Sequence, residues 1–140
     1  MSYATLVRNI ELSSMENHVD AYCLAFNDRD EINYLYMANT TTGHSCHAFG
    51  QKEFMTLFRP PVPHHVKLDV DSIEARVLKG ARWTLAEHVQ MVLVKIDGSD
   101  KITGIARGRD ICGILAALGF LEDGSFRPIA RRNVGFCRSP

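Results

Sequence analysis

In the first sixty residues apolar side chains recur at steps of three and four. Val19, Tyr22, Cys23 and Phe26 follow Ser13 and Ser14, whose hydroxyls suit a helix N-cap, so the spacing predicts a helix over residues 13–27. A polar break at 28–30 follows, and Asp30 caps a second expected helix with Ile32, Leu35, Tyr36 and Met37 on its apolar face. Residues 40–49 are threonine-rich, lack helical spacing and end at Gly50, which reads as a strand. Phe54, Leu57 and Phe58 then predict a third helix over Gln51–Phe58, stopped by the prolines at 60, 61 and 63.

Beyond residue 65 the period shortens to two. Val66, Leu68 and Val70 alternate with Lys67, Asp69 and Asp71 as in a half-buried strand. Lys79-Gly80 reads as a turn, residues 83–96 as a long strand, 97–100 as a hairpin turn and 101–114 as its partner. Residues 116–121 fit a helical turn or a strand equally well. Glu122-Asp123-Gly124 marks a turn before a last strand over 127–137. Helices followed by a strand meander give an α+β expectation: three N-terminal helices on a curved, mostly antiparallel sheet, within one domain over residues 1–140.

Composition narrows the partners. Sixteen basic residues balance sixteen acidic ones, so no net field draws the chain to nucleic acid or an anionic membrane. The most apolar stretch, near residues 111–121, is shorter than the roughly 20 residues a membrane helix needs. Arg8, Asn9 and Glu11 interrupt the apolar run of a secretory leader, and the expectation is a cytoplasmic protein. Cys23, Cys46, Cys112 and Cys137 are scattered without a CxxC pair, as expected of reduced, mostly buried thiols.

The expected hairpin carries the candidate chemistry. With 97–100 as the loop, His88 faces Arg109 and Gln90 faces Arg107 on one side of the sheet, and Glu87 faces Asp110 on the other. Two arginines on a sheet face need polar company, from a ligand, a second subunit or water. His88 is the candidate general acid or base, and Arg107 and Arg109 suit an enolate, phenolate or carboxylate. Ordinary alternatives are a hydrogen-bonded core histidine and structural ion pairs. His44 and His47 point to opposite sides of a strand, with His47 favoured for the cavity mouth. Tyr22, Phe26, Tyr34 and Phe54 pack as helix-face aromatics or line the cavity. No P-loop, GxGxxG or GxSxG motif is present, and the HxxH at 44–47 lacks helical context and a third ligand, so neither metal nor cofactor is expected.

The run Ala25-Phe26-Asn27-Asp28-Arg29-Asp30 resembles the helix-one to helix-two junction of the nuclear transport factor 2-like superfamily. The order of later elements, ending in Ile129-Ala130-Arg131-Arg132-Asn133, is similar to its SnoaL-like branch over nearly the whole chain. That resemblance implies a cone with a deep pocket, a homodimer, and a cofactor-independent isomerase, cyclase or dehydratase acting on a polyketide- or terpenoid-like substrate. Glu87-His88-Val89-Gln90-Met91 looks like the strand that carries an Arg-x-Asp pair in limonene epoxide hydrolases, with His88 and Gln90 in those two places. The last strand shows Asn133-Val134 where that group and the SnoaL-like cyclases carry aspartate. The resulting expectation is proton transfer on a carbonyl-bearing small molecule by His88, with His47 as second acid or base and Asp110 in reserve. Arg109, Arg107 and Gln90 would steady the substrate oxygen, with Tyr22, Phe26, Tyr34, His44 and Phe54 around it. A binding module without chemistry and a dimerising domain are the rival readings.

Overall fold

The computed structural model describes residues 3–28, 47–49, 51–70, 73–96, 101–125 and 133–138. Five helices and six strands follow one another along these segments: α1 (Tyr3–Leu12), β1 (Leu24–Phe26), β2 (His47–Phe49), α2 (Gln51–Phe58), β3 (His65–Leu68), α3 (Glu74–Gly80), α4 (Arg82–Glu87), β4 (Met91–Lys95), α5 (Lys101–Ala117), β5 (Phe120–Glu122) and β6 (Asn133–Arg138).

The serines at 13 and 14 close a helix instead of opening one. Leu6, Val7 and Ile10 share one side of α1 and are its half-buried positions. Ser14 adopts φ of 52°, its N–H donates to the Glu11 carbonyl, and Met15 N–H donates to the Ile10 carbonyl. These are the two bonds of a Schellman stop. The chain then turns and enters β1, so residues 13–27 hold no helix. The second expected helix, with Asp30, Ile32, Leu35, Tyr36 and Met37, and Cys46 lie outside the described residues. β2 keeps the end of the expected 40–49 strand and pairs in parallel with β1, Leu24 opposite His47 and Phe26 opposite Phe49.

The helix over Gln51–Phe58 stands as expected. Arg59 follows it with φ of 47°, and Pro60 cannot donate the next backbone bond. The 66–70 alternation becomes β3, in which Leu68 is buried.

From residue 74 to 117 the chain departs from the expected meander. Leu78, Ala81 and Leu85 are buried at steps of three and four, on α3, the corner between the two helices, and α4. The expected Lys79-Gly80 turn is therefore helical. Residues 83–96 divide into α4, a short connection and β4, and residues 101–114 belong to α5. The hairpin turn at 97–100 lies outside the described residues, but its two strands are replaced by a strand and a helix. The driving contacts on α5 are Ile111 and Leu115, one turn apart and both buried. Residues 116–121 resolve as the end of α5, a left-handed Gly119 with φ of 84°, and the start of β5.

Four strands form an open sheet in the order β3-β4-β6-β5, and β1 and β2 pair separately. β3 runs parallel to β4, with Val66 opposite Val92 and Leu68 opposite Val94. β6 lies antiparallel to β4 and to β5, with Phe136 opposite both Val92 and Glu122. The class is α+β, but the sheet is mixed and the helices are interleaved with its strands rather than gathered before it. A parallel pair requires a crossover between its strands, and α3 with α4 supplies it. One face of the sheet carries Leu68, Val92, Val94, Phe120 and Phe136, all buried with Leu78, Leu85, Ile111 and Leu115 in a single core. The other face carries half-buried Met91 and Leu93 beside exposed Lys67, the one-sided burial of a sheet covered by helices on one side.

Candidate functional site

Two neighbouring positions decide where a cleft opens. Gly80, the last residue of α3, lies so close to the end of β1 that a Cβ there would overlap the Asn27 carbonyl oxygen. The contact brings Asp28, the next residue along, beside the corner where α3 gives way to α4. Lys79 and Arg82 flank that corner, and α5 runs alongside it.

The resulting cleft has a volume of about 700 Å³, within the usual size of small-molecule sites. α5 supplies one wall through three pairs of positions spaced by four: Arg109 and Asp110, Gly113 and Ile114, Ala117 and Leu118. At 1.5 Å per residue this face extends over roughly 13 Å. Along α5 the face passes from charged Arg109 and Asp110 to apolar Ile114 and Leu118, and Asp28, Lys79 and Arg82 complete the lining. Three cations face two carboxylates, leaving an excess of one positive charge. All five charged residues are exposed, and among the described residues none of them forms an ion pair. The ion pairs among described residues, Lys95–Asp69 and Lys67–Asp69, lie on the sheet side.

The expected site residues separate. Arg109 and Asp110 line the cleft, as neighbours on α5 rather than on opposite faces of a hairpin. Arg107 lies on α5 as well. His88 caps the C-terminus of α4, half-buried, and its ring stands edge-on to Trp83. Gln90 is exposed just before β4, where its N–H donates to the His64 carbonyl. No cross-strand pairing joins His88 to Arg109, Gln90 to Arg107 or Glu87 to Asp110, because the second member of each pair is helical. His47 opens β2 opposite Leu24. Tyr34 and His44 lie outside the described residues.

Tyr22, Phe26 and Phe54 do come together, and none of the three is among the residues that line the cleft. The Phe54 ring meets Tyr22 edge-on at 5.0 Å and Phe26 at 5.2 Å between centroids, and Phe58 joins at 5.2 Å from Phe54. These contacts pin β1 to α2 by aromatic packing.

Among the described residues no three His, Cys, Asp or Glu side chains gather closely enough to hold a metal. Cys23, Cys112 and Cys137 are free thiols; Cys23 is exposed, against the expectation of burial, and the other two are half-buried. Burial, with a smaller contribution from the Glu122 carboxylate, pushes the Cys112 thiol up from its ordinary value. Burial and then Asp123 do the same to Cys137, whose Sγ lies 3.7 Å from Asp123 Oδ2.

Asp28, Lys79, Arg82, Gly113, Ile114, Ala117 and Leu118 were not singled out for a ligand from sequence. The signal that finds most of them is the step of four running from Arg109 to Leu118, visible once that segment is treated as a helix.

No protein-family profile, curated protein or solved structure matches the chain.

Proposed function

We propose that this protein is a small-molecule-binding domain whose cleft holds an organic anion with an apolar body. The observation that carries the reading is that Lys79, Arg82 and Arg109, from α3, α4 and α5, line one cleft with Gly113, Ile114, Ala117 and Leu118, and none of the three is ion-paired to another described residue. An acidic group beside these cations gains charge-assisted hydrogen bonds, and an apolar body over Ile114 and Leu118 gains burial. The open position of the charges sets modest affinity, weakened by salt.

Isothermal titration with carboxylates and phosphate esters of graded apolar size tests this reading, with Arg82→Ala/Arg109→Ala alongside. Saturable binding that weakens in the double variant and in high salt is the expected result. Equal binding by both proteins would remove the cleft from the interaction.

A second reading rests on Arg109 and Asp110, the two members of the expected catalytic set that line the cleft. In it the protein is an acid–base isomerase, cyclase or dehydratase of the kind the SnoaL-like resemblance implies. Arg109 would steady the substrate oxyanion, and Asp110 would carry the proton in place of His88. Chromatography coupled to mass spectrometry, which resolves isomers of equal mass, separates the readings on carbonyl compounds: conversion that Asp110→Asn abolishes supports the enzyme, and unchanged ligand supports the binding domain.

A further inference from the structure

We infer that the ligand's body is flat, an aromatic or comparable planar ring system lying against α5 at Gly113, with its acidic group toward Arg109. The inference rests on the binding reading above and names the ligand class for that cleft. Glycine inside a helix costs about 1 kcal/mol relative to alanine, so its place in mid-α5 calls for a reason. Packing is not that reason, since a Cβ on Gly113 would meet no atom within 4 Å. Backbone conformation is not the reason either, because Gly119 is the positive-φ glycine among the described residues. What remains is the cleft itself. Without a side chain at 113, the α5 backbone is uncovered on the cleft side for about one helical turn on either hand, between Arg109 and Ala117.

The shape of that opening favours a slab. Gly113 and Ala117 leave a low floor, and Ile114 and Leu118, one position further round the helix, raise an apolar edge beside it. Lys79 and Arg82, from α3 and α4, line the same cleft. A guanidinium attracts the face of an aromatic ring as well as an acidic group, whereas an alkyl chain of equal charge gains apolar burial alone. The roughly 6 Å between Gly113 and Arg109 along the helix axis matches an acidic group attached directly to a fused ring.

The test is isothermal titration at low salt with 2-naphthoate, 1-naphthyl phosphate and octanoate against the wild type, Gly113→Ala and Gly113→Leu, each protein's melting temperature being recorded. The expected result is 2-naphthoate bound about tenfold more tightly than octanoate, the scale of one stacking or cation–π contact. Gly113→Leu should reduce 2-naphthoate affinity at least about tenfold, with Gly113→Ala between it and the wild type and melting no lower in either. If Gly113→Leu melts lower, Gly113→Ala decides by its affinity. Octanoate bound as tightly as 2-naphthoate, or naphthoate affinity indifferent to position 113, would overturn the flat-body inference and leave the anion reading standing. Failure of all three anions to bind the wild type would overturn both.

Discussion

Trp83 stands edge-on to His88, with ring centroids 5.3 Å apart and planes at 81°, across the last turn of α4. Trp83 is the single tryptophan of the chain, so its emission reports on this contact without interference. His88→Gln removes the ring that stands against the indole, so it should change the emission while leaving the circular dichroism spectrum unchanged. Emission identical in His88→Gln and the wild type would mean that the imidazole does not touch the indole in solution.

Two glycines should respond oppositely to the same substitution. Gly80→Ala forces a Cβ into the Asn27 carbonyl, and overpacking of this kind costs about 1–3 kcal/mol. Gly113→Ala meets open space in the interior of a helix and should stabilise by up to about 1 kcal/mol. Urea denaturation of the two variants checks both signs. Because Gly80 also brings Asp28 to the cleft, Gly80→Ala should disturb ligand binding even under conditions where the protein remains folded.

The contrast between α2 and α5 shows which parts of this fold are legible in the sequence. α2 has its apolar residues on one side and prolines directly beyond it, so local pattern and tertiary packing agree. α5 contains Gly104, Gly108 and Gly113, together worth about 3 kcal/mol against a helix, and its isoleucines favour a strand. Burial of Ile111 and Leu115 against the core outweighs that local preference. The corner at Ala81 hides the 78-81-85 spacing, because a turn at Lys79-Gly80 divides it when only local signals are weighed. At α1 the two serines suit an N-cap better than the left-handed stop that Ser14 makes, and the apolar spacing on their N-terminal side outweighs that local preference. The candidate site follows the same division: Arg109 and Asp110 stand out as charges in an apolar stretch, whereas their companions appear only once the helical face is known.

Arg138 ties β6 to α4 and β5 together. Its Nη2 donates to the Leu85 carbonyl at 2.8 Å, and its guanidinium carbon lies 5.1 Å from the centroid of the Phe120 ring. Arg138→Ala should cost about 1–2 kcal/mol, combining a charge-assisted hydrogen bond with a cation–π contact at a partly exposed site. A double-mutant cycle with Phe120→Leu isolates the ring contribution, expected at about 0.5–1 kcal/mol. Full additivity of the two substitutions would leave the hydrogen bond to Leu85 as the whole of the effect.

Asp69 should set an acid-sensitive latch on the sheet face away from the core. Lys95 Nζ donates to its Oδ1 at 2.8 Å, and Lys67 Nζ lies 3.8 Å from Oδ2. The hydrogen bond from Lys95 is the largest influence holding the carboxyl below its ordinary value of 3.8; burial, the next largest, acts against it, and the charges of Lys95 and then Lys67 add to the lowering. A carboxyl whose value is lower in the folded chain contributes stability that is fully present above 3.8 and is lost as pH falls through the folded value. In a carboxyl-detected NMR titration, Lys95→Met should move the Asp69 midpoint upward and Lys67→Met should move it less. Stability measured against pH should show the wild type ahead of Lys95→Met at neutral pH, with the gap closing in acid. Because the group is exposed, added salt should narrow that gap at neutral pH as well, and a difference indifferent to both salt and acid would assign the effect of Lys95 to packing of its methylene stem rather than to its charge.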